Sequence, residues 1–154
     1  MTIGLDSIIL EVYGNQKEGA SYGYTRVLGY HSLVATRADI GETLHVRFRE
    51  GAANTQRGAK RFVREVVGWV RRAGASGPLT LRSDSGFFSK CVVQACRDHG
   101  ARYAITVRQN PVIQRAIESI TEDDWTGIDY ALNGEAWGAR PPTVVTDSLF
   151  DERS

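Results

Sequence analysis

The sequence predicts an α/β fold with a mixed sheet and the element order βββαβαβα. Two observations predict this class. Three short apolar runs near the amino terminus are separated by glycine-containing turns, which is typical of strands with hairpin-type connections. Helical stripes with three- and four-residue spacing then alternate with further strand-like runs, which is typical of helices that cross between strands. Within this pattern, acidic residues occupy unusual places: Asp6 interrupts the first run and Asp84 ends the fourth.

The first three strands are predicted from their apolar residues. Residues 3–13 are a nearly continuous apolar run, and residues 14–19 form a polar turn region. Residues 30–36 are the second predicted strand. A turn at residues 38–42 leads to the third, residues 43–48, in which apolar and polar residues alternate. Alternation of this kind indicates a strand with one buried face.

The first helix and the fourth strand follow. Asn54 is a residue type favoured at helix N-caps, so we expect the helix to begin there and to end near Ala73. Its apolar residues are spaced by three and four positions, and we expect Trp69, one of them, to lie in the core. Glycines and a proline end the helix, and residues 79–83 form the fourth predicted strand.

Two more helices are predicted. Ser89 can cap a helix that ends near Asp98, and residues 101–107 form the fifth predicted strand. Asn110 and Pro111 open a third helix, because proline is tolerated in the first turn. Beyond it, residues 125–132 could add one more strand, and we expect a poorly packed C-terminal tail from residue 138 onward.

The chain order predicts which strands are neighbours. Right-handed crossovers place the fourth strand beside the first, an arrangement known as the ribonuclease H-like fold. Asp6 and Asp84 would then lie side by side on parallel central strands. An ionised carboxylate in a buried strand is costly unless a cation or several donors compensate it. Paired acids at strand ends are the ligands that a divalent metal needs for phosphoryl transfer.

Composition narrows the class of protein. A chain of 154 residues with 42% hydrophobic and 24% charged residues predicts one soluble domain. The net charge of +1 gives no general argument for nucleic-acid binding. Cys91 and Cys96 would point about 140° apart on a helix, so a mutual disulfide is not expected. No signal peptide or membrane span is predicted, and we expect a cytoplasmic protein.

Several segments, taken together, resemble the DDE transposases of bacterial insertion sequences, over roughly residues 2–137. The most specific segment is Arg82-Ser83-Asp84-Ser85-Gly86-Phe87. The others occur in the family's order: Leu5-Asp6-Ser7, Gly23-Tyr24-Thr25, Leu28-Gly29-Tyr30-His31, Arg49-Glu50-Gly51-Ala52-Ala53-Asn54-Thr55 and Val107-Arg108-Gln109.

The resemblance implies an activity and a set of ligands. Such enzymes bind two Mg²⁺ or Mn²⁺ ions with three acids, cleave the ends of the element and join the freed 3′-hydroxyl to target DNA. Asp6 corresponds to the first catalytic, metal-binding acid and Asp84 to the second. The third acid of the family is a glutamate on a helix far downstream. The implied partners are the insertion-sequence ends and target DNA, with a homo-oligomer possible for the intact enzyme.

The chain also departs from the family pattern. Gly4 stands where the family usually has another acid, and we expect the chain to be truncated at both ends. The match stops at Gly138, where the family tends to continue Val-Ala-Glu-Thr-Thr-Tyr. Codons for residues 139–143 can encode Glu-Thr-Thr-Tyr in a shifted frame. We therefore expect a partial catalytic domain at residues 1–137 and a frameshifted tail at residues 138–154, and an inactive protein because the third acid is missing.

Simpler interpretations of these residues stay open. Asp6 can serve only as a hydrogen-bond acceptor or lie on an exposed edge, and Asp84 can simply close an Asp-Ser-Gly turn. The cations before and along the first helix either bind DNA phosphates or form a solvated face: Arg57, Lys60, Arg61 and Arg64. Arg108 is the stronger candidate for a phosphate contact. Glu118 and Glu135 are poor substitutes for the third acid. Two other functions remain: a stand-alone ribonuclease H-like nuclease, and a non-catalytic DNA-binding or interaction module.

Overall fold

The structure is a computed structural model that describes residues 1–14, 16–129 and 135–139. The chain divides into two compact units, Met1–Val107 and Arg108–Ser154. The first unit contains the mixed sheet, two helices and both acids of interest. The C-terminal tail predicted from residue 138 onward lies almost entirely outside the described residues.

The first unit is built on a six-stranded mixed sheet. The strand order is β2-β3-β1-β5-β6. β4 lies outside this order and also pairs with β3, along residues 33–36 of that strand. β1 is antiparallel to β3 and parallel to β5. The strands are β1 (Thr2–Glu11), β2 (Ser21–Tyr22), β3 (Leu28–Arg37), β4 (Thr43–Arg47), β5 (Thr80–Ser83) and β6 (Arg102–Ile105). The predicted α/β class and the placing of the fourth predicted strand beside the first are confirmed.

The helices match the prediction in number and approximate position. They are α1 (Ala59–Arg72), α2 (Lys90–Asp98) and, in the second unit, α3 (Pro111–Glu118). The second unit also contains an antiparallel hairpin of β7 (Trp125–Asp129) and β8 (Glu135–Ala139). The predicted cap at Ser89 is confirmed, because Ser89 Oγ accepts the N–H of Val92. Asn110, which was predicted to open the third helix, is its N-cap, and its Oδ1 accepts two N–H groups at the start of α3.

The core of the first unit lies on one face of the sheet. Alternate residues of β1, Ile3 and Leu5, are buried in the same cluster as residues of both helices, among them Phe62 and Val92. The intervening residues of β1 face the other side, where Ile8 is 41% exposed. A sheet with one covered face shows this alternation.

Asp6 therefore does not lie in a buried position, contrary to the prediction. It belongs to the alternate set of β1 residues that includes Gly4 and Ile8, and it is exposed. The apolar character of the first run had suggested burial on both faces. The apolar residues on the second face, Ile8 and Leu10, are instead partly exposed, at 41% and 38%.

The start of α1 also differs from the prediction. The N-cap is Gly58 rather than Asn54, and Gly58 has a left-handed backbone with φ of 77°. Asn54 instead closes a local turn, because its Oδ1 accepts the N–H of Gln56 at 2.7 Å. Asparagine is favoured both in such turns and at helix caps, and the sequence alone does not separate the two uses.

Trp69 is a second difference, since it is 43% exposed rather than part of the core. It lies at the margin of the α1 stripe whose centre is formed by Phe62, Val66 and Val70. Its ring makes an edge contact with His45 of β4, with ring centroids 4.3 Å apart. The short strand β2 was also missed, because two residues give no periodicity to recognise.

Two predictions of absence can be compared with the structure. Within the described residues, no helix has the length and apolar character needed to cross a bilayer. Cys91 is exposed, Cys96 is buried, and both thiols are free.

Candidate active site

The two acids follow a register pair of neighbouring parallel strands. Leu5 of β1 pairs with Ser83 of β5, and Asp6 and Asp84 are the next residues. Leu5 and Ser83 are both buried, and both acids are exposed. Because side chains alternate along extended backbone, the two carboxylates project from the face of the sheet opposite the core. We call Asp6 and Asp84 the acid pair.

Each acid of the pair is oriented by a backbone N–H group. Asp6 Oδ1 accepts from Ser7 N at 2.7 Å. Asp84 Oδ1 accepts from Gly86 N at 3.0 Å and so caps the short 3₁₀ turn Ser85–Phe87. The turn function expected for Asp84 is thus present. It leaves the second oxygen of each carboxylate available, and among the described residues neither acid has a cationic partner.

Thr55, in the loop before α1, contacts both segments that carry the acids. Its Oγ1 lies 3.5 Å from Ser7 Oγ. A Cβ placed on Gly86 would lie 3.2 Å from Thr55 Cγ2 and 3.1 Å from Asp84 Oδ1. The absence of a side chain at Gly86 therefore lets the loop pack closely against the Asp84 turn.

Arg49 and His31 hold this loop in place. The Arg49 guanidinium donates to the carbonyl oxygens of His31, Asn54 and Arg57 at 2.9, 2.8 and 2.7 Å. His31 is only 2% exposed, and its Nδ1 lies 2.5 Å from the carbonyl oxygen of Ala53, which can only accept. A half-buried arginine that satisfies several carbonyl groups fixes the path of the loop.

Burial lowers the pKa of Arg49, and the charges of Arg57 and Arg47 lower it further. The guanidinium nevertheless remains charged, because an arginine loses its proton only far above neutral pH. Sequence reasoning gave Arg49 and His31 no role of their own. Their only signal was their presence in the segments that carried the resemblance.

Close backbone packing explains the glycine at position 51, in the same segment as Arg49. A Cβ on Gly51 would lie 2.1 Å from the carbonyl oxygen of Gly29 and 2.2 Å from that of Ser21. No side chain fits there without moving backbone atoms. Gly51 thus lets the start of the loop pack directly on β2 and β3.

Two of the predicted DNA-binding cations already have acidic partners. Arg57 Nη1 lies 3.5 Å from Glu50 Oε2 at a well-exposed position. Arg61 Nε lies 2.8 Å from Glu65 Oε1. Burial alone would raise the pKa of Glu65, but the hydrogen bond from Arg61 and nearby positive charges outweigh it and hold that pKa below its usual value.

The remaining predicted cations are exposed. Lys60 and Arg64 lie on α1, and Arg108 is the first residue of the second unit. A role in DNA binding stays a prediction for all five cations.

No third acid joins the acid pair in the part of the chain that the structure describes. Within those residues, no group of three or more His, Cys, Asp or Glu side chains is arranged to hold a metal ion. Glu118 and Glu135 both belong to the second unit, and the Glu135 side chain is outside the described set. Two exposed carboxylates on adjacent strands fit a divalent ion as part of its oxygen ligands, with water supplying the rest.

Comparisons with known proteins bear on the family and the fold of this chain. A family model described as transposase DDE domain group 1 matches residues 1–135. A cryo-EM structure of the piggyBac transposase synaptic complex with hairpin DNA is similar in fold, with a TM-score of 0.53 and 14% sequence identity. The similarity covers 84% of this chain but only 28% of that one. A search of functionally curated proteins found no match.

Proposed function

Because this chain belongs to the transposase DDE domain family, we propose that it is a partial catalytic domain for DNA cleavage and strand transfer, with the acid pair as its metal ligands. The observation that carries the proposal is the position of Asp6 and Asp84, each one residue beyond the register pair Leu5–Ser83. The ribonuclease H-like fold shared with a transposase structure supports it. The proposed DNA partners are the ends of an insertion sequence and a target DNA.

The chain's own residues supply binding and orientation. Ser7 N and Gly86 N each hold one oxygen of Asp6 and Asp84, which leaves the second oxygen of each carboxylate for an ion. A bound Mg²⁺ or Mn²⁺ would activate an attacking oxygen or stabilise the leaving oxygen of a phosphodiester. Thr55 limits movement of the two acid-bearing segments relative to each other through its contacts with Ser7 and Gly86.

We propose further that the 154-residue chain binds an ion but does not cleave DNA. The described residues bring together only two metal-binding acids. Phosphoryl transfer with two ions needs ligands that hold both ions and keep the attacking oxygen in line. Displacement of a reacting group by about 1 Å costs about 100-fold in rate. The same shortage of acids argues against a stand-alone nuclease.

The experiment is a cleavage and joining assay on labelled DNA with Mg²⁺ or Mn²⁺, run beside an ion-binding measurement on the same sample. We expect ion binding without cleavage. Asp84→Asn should lose ion binding, and Lys17→Gln, an exposed substitution in the loop between β1 and β2, should keep it. Cleavage that persists in the wild type and disappears in Asp84→Asn would overturn the claim of inactivity. Ion binding unchanged by Asp84→Asn would overturn the assignment of the acids.

A further inference from the structure

A cavity of about 360 Å³ lies on the outer surface of α1, away from the core stripe of that helix. We call it the α1 cavity. Its size falls within the range of small-ligand sites, which begins near 300 Å³. The residues that line it are Arg61, Arg64, Glu65, Trp69, Arg72 and His99.

The cavity carries an excess of positive charge. Its one acid, Glu65, is already engaged by Arg61 and by Arg47 from β4. Within the described residues, Arg64 and Arg72 form no ion pair. Two exposed guanidinium groups therefore face the cavity with their donors available for an anion, and arginine binds phosphate oxygens particularly well.

Gly68 brings these two arginines onto a common surface. Arg64, Gly68 and Arg72 follow one another at four-residue intervals, so they lie along one side of the helix. A Cβ on Gly68 would lie 3.3 Å from Arg72 Nη1. The Arg72 guanidinium thus folds back over the glycine, toward the preceding turn that bears Arg64.

An aromatic wall and an unsatisfied donor or acceptor complete the cavity. Trp69 is 43% exposed, and one contact that orients its ring is the edge contact with His45. His99 lies at the end of α2, and its buried Nδ1 has no hydrogen-bond partner within the described residues. A tryptophan beside arginines is the combination that binds a base and its phosphate in single-stranded nucleic acid.

We propose that the α1 cavity binds a nucleotide unit of single-stranded nucleic acid. The phosphate contacts Arg64 and Arg72, and the base packs against Trp69. This site is separate from the acid pair, because α1 covers the face of the sheet opposite the one from which Asp6 projects. It needs no metal ion and does not depend on the proposed function of the acids.

The test uses the fluorescence of Trp69 in the full chain, with Trp125 and Trp137 replaced by Phe. Oligothymidylate is added in the presence of EDTA. We expect the ligand to quench Trp69, and we expect Arg64→Gln and Arg72→Gln each to weaken binding about tenfold. Both side chains are exposed, so both variants should fold, and circular dichroism checks this. Lys17→Gln removes the same charge from an exposed residue that does not line the cavity, and it should bind as the parent does.

Several outcomes would overturn the proposal. Absence of quenching by oligothymidylate, or equal weakening in Lys17→Gln and the arginine variants, would show that the cavity is not the site. If inorganic phosphate competes at the concentrations at which oligothymidylate binds, the cavity takes free phosphate and not a strand. Equal or tighter binding of a duplex would contradict the role of the exposed base. Weaker binding at higher salt is expected, since phosphate contacts release counterions.

Discussion

The hydroxyl oxygens of Ser7 and Thr55 lie 3.5 Å apart, although 48 residues separate them in the chain. Ser7 follows Asp6 directly, and Thr55 also packs against Gly86, two residues after Asp84. One side chain of the loop before α1 therefore contacts both segments that bear the acid pair. The spacing of the two carboxylates depends on this loop as well as on the sheet.

We predict that Gly86→Ala weakens ion binding and destabilises the first unit by about 1–3 kcal/mol. The new Cβ would lie 3.1 Å from Asp84 Oδ1 and 3.2 Å from Thr55 Cγ2, so one of the two must move. Chemical denaturation measures the free energy of unfolding, and a Mn²⁺ titration measures ion affinity.

Gly77→Ala is the matched control for this substitution. A Cβ at Gly77 meets no atom within 4 Å. Alanine there should leave ion affinity unchanged and alter the free energy of unfolding by about 1 kcal/mol or less. If Gly86→Ala behaves like Gly77→Ala, the Thr55 contact does not control the acid pair.

The second prediction concerns the pH dependence of stability. Burial lowers the pKa of His45 below the ordinary histidine value of 6.5, and the charge of Arg47 lowers it further, although Glu65 acts in the opposite direction. The folded protein thus binds a proton at His45 less readily than the unfolded chain does. This contribution to stability is present above pH 6.5 and is lost as the pH falls through the lower pKa of the folded state.

His45→Phe should remove this part of the pH dependence. Phenylalanine keeps a ring where His45 stacks on Phe62, with centroids 4.8 Å apart, but it does not titrate. Urea denaturation at about pH 7.5 and about pH 5.5 measures the loss of stability in each protein. The wild type should lose more than the variant. Equal losses would mean that His45 titrates alike in the folded and unfolded states.

The third prediction concerns the two thiols. Cys96 is fully buried, and burial raises its pKa to about 11. Cys91 is exposed on the same helix. Because the thiolate is the reactive form, a thiol reagent should label Cys91 in the native protein and Cys96 only after unfolding. Mass spectrometry of labelled peptides distinguishes the two. Rapid labelling of Cys96 under native conditions would show that α2 does not pack as described.

Features that rest on local sequence signals or on a general rule of chain direction were predictable from the sequence. The strand-like runs that contain Asp6 and precede Asp84, and the right-handed crossover between them, were enough to place β1 beside β5. The caps at Ser89 and Asn110 were predictable because each immediately precedes a helical stripe. These signals are local or follow a general rule of chain direction.

Features that depend on the arrangement of several segments were not predictable. The exposure of Asp6 depends on which face of the sheet the helices cover. Trp69 lies at the edge of the apolar stripe of α1, and the periodicity of the sequence does not define how wide that stripe is. The hydroxyl contact of Thr55 joins two segments that are distant in the chain. The carbonyl contacts of Arg49 include ones that lie within an irregular loop. Neither arrangement leaves a periodic signal.

The central claim is that Asp6 and Asp84 share one divalent ion, and a Mn²⁺ titration followed by electron paramagnetic resonance tests it most directly. We predict one site in the wild-type chain, whose affinity falls by at least about tenfold in Asp6→Asn and in Asp84→Asn, and at least as far in the double variant. Each single loss follows if both carboxylates bind the same ion. Wild-type affinity in either single variant, or two independent sites of which each single variant loses one, would contradict the claim.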